Sequence, residues 1–152
     1  MNKREDSCYT CDSTANIADM GPSNSIWLTD GWRVAHSFNS ALLGWLVVVP
    51  RRHIESVHEL TQKEATELGE LLRISSVALV QVLSCLKTYV IMFAEAPGFN
   101  HVHFHVIPRQ PDLNPDHRGS NIFHYLKQPE SEWIPITERD RLALQLRESS
   151  VT

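Results

Sequence analysis

The octapeptide HVHFHVIP, which begins at His101, restricts the fold most strongly, because histidine and apolar residues alternate along its first six positions. In an extended strand, side chains at i, i+2 and i+4 lie on one face, at about 6.6–6.8 Å per pair. The alternation therefore predicts a strand with three imidazoles on one face: His101, His103 and His105. The apolar residues Val102, Phe104 and Val106 are expected to pack into a core. Imidazole can be a nucleophile, a phosphate contact or a metal ligand near neutral pH, so we expect this strand to carry chemistry.

Length, composition and charge favour a single globular domain and argue against nucleic-acid-binding and membrane proteins. With 152 residues and 42% hydrophobic content, the chain is long enough for one domain with its own core and no disulfides. The net charge of −4 argues against a nucleic-acid partner, whereas a small anionic ligand remains compatible with it. The most apolar stretch, residues 41–50, is about half of the roughly 20 residues that a membrane helix needs. The polar N-terminus lacks an apolar signal region, so the sequence predicts a cytoplasmic protein.

Turn and periodicity signals predict an α+β fold, an antiparallel sheet with one long helix packed on it and a short C-terminal helix. Asp30-Gly31 favours a hairpin turn, and the valine-rich run at residues 44–49 favours a central strand. Residues 88–94 favour another strand, and a last helix is expected near Thr137. Thr61 and Glu64 match the capping box of the long helix. Its predicted core stripe is Ala65, Leu68, Leu72, Ser75, Leu79, Val82 and Leu86.

We expect one domain over residues 1–152, in three parts. Residues 1–12 form a cysteine-containing N-terminal segment, residues 13–109 the catalytic core, and residues 110–152 a loop-rich extension. The extension is predicted from five turn-forming residues: Pro111, Pro115, Gly119, Pro129 and Pro135.

Cys8 and Cys11 form a Cys-x-x-Cys pair, and Cys85 is expected to be a buried core thiol. In a reducing compartment this spacing favours a metal over a disulfide. Two thiolates and two imidazoles would suit a tetrahedral zinc ion of the structural kind. A pair of free thiols on a mobile N-terminus is the alternative. A redox pair is less favoured, because no strong strand or helix pattern precedes the cysteines.

The segment HVHFHVI resembles the signature of the histidine triad superfamily, whose members bind nucleotides. The upstream run LVVVPRRHIES is similar to the strand and basic turn that precede the long helix in that family. The resemblance covers roughly residues 8 to 109. It implies a nucleotidyl hydrolase or transferase that acts at the α-phosphate of a nucleotide phosphoramidate or a dinucleoside polyphosphate.

The resemblance also implies roles for individual residues. His103 would be the nucleophile that forms a nucleotidyl-histidine intermediate, and His105 would contact the phosphate and the leaving group. Zinc-containing members use a similar Cys-x-x-Cys, a histidine after the basic turn and the first triad histidine, which correspond here to His53 and His101. Two branches of the family form homodimers, so a homodimer is expected.

The sequence departs from the family's pattern at three places. Trp45 stands where many members carry a histidine that supports the triad from behind. Ser37, with Asn39 nearby, stands where an aspartate or asparagine binds the ribose hydroxyls. Residues 96–98 read Ala-Pro-Gly where members often have Gly-Gln-Ser or Gly-Gln-Thr. Backbone N–H groups of Gly98 and Phe99 could replace the missing side-chain donors there.

Two other functions remain open. The departures favour a nucleotide-binding or scaffold protein with little turnover. A zinc-hydroxide hydrolase would need an open coordination position and three protein ligands. Arg51, Arg52 and Arg109 lie near the ends of predicted strands and could help to hold phosphate, although solvated arginines are favoured. The remaining histidines are expected to be surface or locally hydrogen-bonded residues: His36, His58, His117 and His124.

Overall fold

Five strands form one antiparallel sheet in the order β1-β2-β3-β5-β4 in the computed structural model, which describes residues 8–149. The strands are β1 (Trp27–Leu28), β2 (Trp32–His36), β3 (Leu46–Pro50), β4 (Lys87–Ile91) and β5 (Phe104–Arg109). Trp27 pairs with Val34 across the predicted Asp30-Gly31 turn. The hairpin is therefore confirmed, and the predicted central strand is β3, which pairs with β2 and β5.

Three α-helices accompany the sheet: α1 (Tyr9–Ala15), α2 (Gln62–Leu83) and α3 (Ile136–Glu148). The capping box of α2 is present, since Thr61 and Glu64 each accept the other's backbone N–H. Ser84, at a left-handed φ of 56°, ends α2. The α+β class, the long helix and the C-terminal helix are thus confirmed. None of the described helices is long and apolar enough to cross a membrane.

The main core lies between the sheet, α2 and α3. Its buried strand residues include Trp32, Val34, Leu46, Val48 and Val106, and α3 contributes Leu142, Ala143 and Leu146. The predicted buried stripe of α2 is correct for its central residues and wrong at both ends. Ser75 and Leu79 are buried, whereas Ala65 is exposed, and Leu86 lies beyond the helix with 62% of its surface exposed. Leu71 and Ala78, which were not in the predicted stripe, complete the buried face.

The histidine segment differs from the prediction in two respects, the start of the strand and the direction of His101, which joins the cluster of Cys8, Cys11 and His53. Strand β5 begins only at Phe104, so the first two histidines of the triad precede the strand, and only His105 lies within it. The N–H of Val102 instead donates to the carbonyl of Ile54 at 2.8 Å, outside the sheet. Val102 and Val106 are fully buried and Phe104 packs against the core, as predicted.

The C-terminal third packs against the rest of the described chain through short 3₁₀ turns and α3. The carbonyl of Tyr125 accepts the N–H of Ala41 at 2.9 Å, and Ile134 donates to Ser40 at the same distance. Part of the predicted N-terminal segment, residues 1–7, lies outside the described residues. Cys85 is buried, as expected.

Candidate active site and metal centre

Four side chains predicted as metal ligands meet at one point: Cys8, Cys11, His53 and His101. Their ligand atoms all lie within 4.8 Å of one another. Cys11 Sγ is 3.3 Å from His53 Nδ1, both sulfurs are 3.5 Å from His101 Nδ1, and the two Nδ1 atoms are 3.2 Å apart. A tetrahedral zinc ion at ordinary bond lengths needs N–S edges of about 3.5 Å and an N–N edge of about 3.3 Å. The cluster can therefore hold a metal ion, and its donors and spacing fit zinc.

Local structure holds two of the four side chains, Cys8 and His101, in place. Cys8 is the N-cap of α1, where its Sγ accepts the N–H of Cys11 at 3.4 Å. A helix therefore begins at the cysteine pair, which the sequence did not predict. His101 Nε2 donates to the carbonyl of Pro50 at 2.8 Å, because a carbonyl can only accept. The proton on Nε2 leaves the Nδ1 lone pair free for the cluster, in the arrangement usual for metal-bound histidine. Burial lowers the pKa of His101 to about 4, which keeps the ring neutral.

A cleft of about 390 Å³ covers the sheet face opposite α2. Side chains alternate along β3, so Val48 enters the core while Val47 and Val49 line the cleft. His103 and His105 line it as well, whereas His101 faces the metal cluster. The triad is thus divided between a metal centre and a ligand cleft.

His103 is oriented by the backbone of the metal-binding residue two positions before it. Its Nδ1 donates to the carbonyl of His101 at 2.8 Å. In the neutral ring the lone pair is then on Nε2, which makes no hydrogen bond within residues 8–149. His103 therefore offers an unblocked nucleophilic nitrogen in the cleft.

His105 is held by Trp45. The indole Nε1–H donates to His105 Nδ1 at 2.9 Å, and because an indole cannot accept, the proton of the neutral ring must be on Nε2. Burial, with a smaller effect from nearby His103, lowers the pKa of His105 to about 3. His105 is therefore a neutral N–H donor at pH 7. Trp45 performs the supporting contact at the position where the family usually has a histidine.

The predicted ribose-binding residues lie together at the end of β2. Ser37 Oγ donates to Asn39 Oδ1 at 2.9 Å, and both residues line the cleft. His36 beside them is buried, so it is not a surface residue. It donates from Nδ1 to the carbonyl of Ser37 at 2.7 Å and accepts the N–H of Gly44 at 2.9 Å. Burial lowers the pKa of His36 to about 4.

The turn before the triad provides fewer backbone donors than the sequence suggested. Phe99 N–H already donates to the carbonyl of Ala96 at 2.9 Å, so this N–H is occupied, and Phe99 lines the cleft as a ring. Gly98 has a φ of 82°, which favours glycine. Its N–H makes no hydrogen bond to the described backbone.

None of the three arginines that the sequence suggested to be solvated lines the cleft. Arg51 donates to the carbonyl of Thr29, Arg52 pairs with Glu64, and Arg109 donates to the carbonyl of Gln110. Of the other histidines, His58 contacts Ser56, while His117 and His124 stack on each other at 3.8 Å.

Sequence reasoning missed two parts of the cleft. One is Arg33, a charged residue at the second position of a fully buried strand, which is itself a usable signal. The other is a group of rings contributed by Tyr9, Phe38 and Phe99, which come from three separate segments and leave no local pattern.

The chain was compared with known proteins. A histidine triad nucleotide-binding protein from Sulfolobus tokodaii is 19% identical at a TM-score of 0.70, covering 93% of this chain and 90% of that one. A zinc-bound histidine triad family protein from Mycobacterium smegmatis is 18% identical at 0.65, covering 93% and 91%. A histidine triad protein from Bradyrhizobium japonicum is 19% identical at 0.66, covering 81% and 87%.

These three structures share the fold of this chain. No curated protein sequence matches it. The HIT domain model matches residues 20–112. Since that range contains all five strands, α2 and the three histidines of the triad, the chain belongs to the HIT domain family.

Proposed function

We propose that this protein is a nucleotidyl hydrolase or transferase that acts at the α-phosphate of a nucleotide phosphoramidate or a dinucleoside polyphosphate. The observation that carries the proposal is the hydrogen bond from His103 Nδ1 to the carbonyl of His101. It directs the remaining lone pair of a neutral imidazole, on Nε2, to a cleft large enough for a small molecule.

The reaction is a double displacement at phosphorus. His103 Nε2 donates its lone pair to form a P–N bond, and the bond to the amine or phosphate leaving group breaks. The leaving group departs with that electron pair and takes a proton from water. A water molecule, or another acceptor in a transfer, then forms a P–O bond while the P–N pair returns to Nε2. The proton of that water returns to solvent, so the two steps balance.

Neighbouring groups would bind the nucleotide during both steps. The Nε2–H of neutral His105 would donate to a phosphoryl oxygen, whereas Gly98 is exposed and does not line the cleft. Ser37 and Asn39, already paired in the cleft, would contact the ribose hydroxyls. Positioning and charge neutralisation of this kind dominate catalysis of phosphoryl transfer.

We assign zinc to the four-residue cluster, in a structural role. Four protein ligands fill a tetrahedral shell, whereas a hydroxide-generating ion keeps one position open. This supports a structural ion over the zinc-hydroxide mechanism. When bound, zinc would join α1 to His101, whose carbonyl orients His103.

The homodimer implied by the family resemblance stays a prediction. Strand β4 lies at the edge of the sheet and has an exposed Val90, so it is available for pairing with a second copy.

The test is intact-protein mass spectrometry after an alkaline quench, because phosphohistidine is acid-labile. Wild type is expected to gain a nucleotidyl mass from a panel of adenosine, guanosine and inosine phosphoramidates and dinucleoside polyphosphates. His103→Ala should bind nucleotide but gain no mass, and turnover should fall by at least 10³-fold. His58→Gln, a change at an exposed histidine, should label like wild type. Full turnover in His103→Ala would refute the mechanism, and binding without any adduct would favour the binding or scaffold protein.

A further inference from the structure

Arg33 is a buried cation in the wall of the cleft. Only 4% of its surface is exposed. Its Nε donates to Thr14 Oγ1 at 3.3 Å and its Nη1 donates to the carbonyl of Asn24 at 2.8 Å. Within residues 8–149 no carboxylate lies within ion-pair distance of it. A buried cation is costly unless its N–H groups have acceptors, so its presence in a cleft wall favours a ligand that offers hydrogen-bond acceptors.

The guanidinium has hydrogen-bond donors to spare. Two of its five N–H groups are used by Thr14 and Asn24. Nη2 makes no hydrogen bond to the described protein, and it is not among the polar atoms sealed from solvent. Because Arg33 lines the cleft, these remaining donors are accessible from it.

The sheet register gives the position of Arg33 relative to the catalytic histidines. Arg33 pairs with Val49 across β2 and β3, and His105 pairs with Val47 across β3 and β5. The two backbones are thus two strand spacings and two residues apart, about 12 Å. An extended nucleotide with its phosphate at the histidines would reach across β3 to Arg33 with its base.

The surroundings of Arg33 suit a flat ring. Tyr9 and Phe38 have ring centroids 4.7 Å apart, and Phe99 is 5.6 Å from Tyr9. All three rings line the cleft together with Arg33. The small side chain of Ala35, two residues from Arg33 on the same strand face, leaves room above the sheet. Aromatic rings of this kind stack with any nucleobase. A preference for one base must therefore come from a contact with the polar edge of the base.

We propose that Arg33 binds the O6 and N7 acceptors of a 6-oxopurine, so that the cleft prefers guanine and hypoxanthine nucleotides to adenine nucleotides. This inference rests on the proposed function, in which the ligand is a nucleotide. A guanidinium only donates hydrogen bonds, and its fork matches the O6/N7 edge. Adenine keeps N7 but presents an amino donor in place of O6, which would face a guanidinium N–H and leave that N–H without an acceptor.

Calorimetric titration of the zinc-loaded wild-type protein with IMP, GMP and AMP tests the proposal. IMP and AMP share the ribose, the phosphate and N7, and they differ at position 6. We expect IMP and GMP to bind at least about tenfold more tightly than AMP. Equal affinities, or a preference for AMP, would overturn the proposal.

Two variants assign the preference to Arg33. Arg33→Met keeps the length of the apolar stem and should bring the IMP/AMP affinity ratio to near one. Arg33→Gln should shift the ratio towards AMP, because a carboxamide can pair with the N6/N7 edge of adenine. Arg51→Met, at an exposed arginine outside the cleft, should leave the ratio unchanged. A wild-type ratio in folded Arg33→Met would assign the preference to other residues and refute the proposal.

Arg33 also connects α1 to the Asn24 turn, so thermal unfolding of each variant is measured first. If neither Arg33 variant folds, the wild-type affinities still test the preference for 6-oxopurines, and equal affinities would still overturn the proposal. Binding of mononucleotides needs no covalent step, so this test is separate from the adduct experiment. Equal affinities would leave catalysis by His103 standing, whereas no binding of any of the three nucleotides would count against both proposals.

Discussion

At the scale of single residues, the bond between Trp45 and His105 sets the chemistry of the last triad histidine. Because the indole donates to Nδ1, His105 must carry its proton on Nε2. We expect ¹⁵N spectra of the protein to show His105 as the neutral Nε2–H tautomer at pH 7. In Trp45→Phe the other tautomer should become populated, and turnover should fall roughly three- to tenfold, as for the loss of one hydrogen bond.

Trp27→Phe is the matched control, since Trp27 is partly buried outside the cleft. It should leave both the spectrum of His105 and the turnover unchanged. If Trp45→Phe shows the same His105 tautomer as wild type, the indole is not needed to fix the imidazole. The packing of the surrounding rings, including Phe123, would then fix it.

At the scale of secondary-structure elements, two of the proposed zinc ligands, Cys8 and Cys11, lie at the start of α1, so we expect the stability of α1 to depend on the ion. We expect one zinc per chain by elemental analysis, and its loss in Cys8→Ser and Cys11→Ser. Both variants should lose several kcal/mol of unfolding free energy, because metal binding is coupled to folding. Nucleotidyl labelling of His103 should also be slower in both cysteine variants, because His101 would no longer be fixed by the metal ion. Cys85→Ser should keep the zinc, and full zinc content in the Cys8 and Cys11 variants would exclude the cluster.

Much of the secondary structure could be predicted from local signals, and the exceptions have physical causes. The His-apolar alternation predicted one strand with three histidines on one face, which is correct only from Phe104 onward. It did not reveal that His101 leaves the sheet, because the carbonyl of Pro50 and the two thiols that hold it are distant in sequence. Likewise, apolar periodicity continued to Leu86, since it carries no information about the left-handed Ser84 that ends α2.

The candidate site was predictable where the family signature extends and not elsewhere. The meeting of Cys8, Cys11, His53 and His101 was predicted from the Cys-x-x-Cys spacing and the family resemblance, and the role of His103 stays a prediction from that resemblance. The hydrogen bond that compensates for the missing histidine joins residues 60 positions apart, so only the fold could show it. Arg33 matches no motif. It is a candidate ligand-binding residue because it is buried and has no carboxylate partner within residues 8–149.

At the scale of the whole molecule, buried neutral histidines make stability depend on pH. In the folded state the pKa of His36 is about 4, lowered mainly by burial and further by the charge of Arg139. The pKa of its unfolded counterpart is about 6.5. Between these values only the unfolded chain binds the proton, so stability is fully present above pH 6.5 and is lost as the pH falls towards 4. The slope is about 1.4 kcal/mol per pH unit for one such group.

Denaturant unfolding between pH 4 and 8 measures this loss. His36→Gln, which can still donate and accept, should reduce the slope, whereas His58→Gln at an exposed position should not. Identical slopes for wild type and His36→Gln would show that His36 is protonated in the folded state. The metal ligands are unchanged in both variants, so their own titration cancels from the comparison.

The metal cluster also changes the connectivity of the chain. A shared ion would link Cys8 to His101, 93 positions apart, and so close a loop over most of the family domain. A covalent link closing a loop of that length restricts the unfolded chain by about 4–5 kcal/mol. The ion would therefore act as a crosslink suited to a reducing compartment, opened by chelators rather than by thiols. The loop could close only after His101 has been synthesised, so metal loading would follow synthesis of the histidine segment.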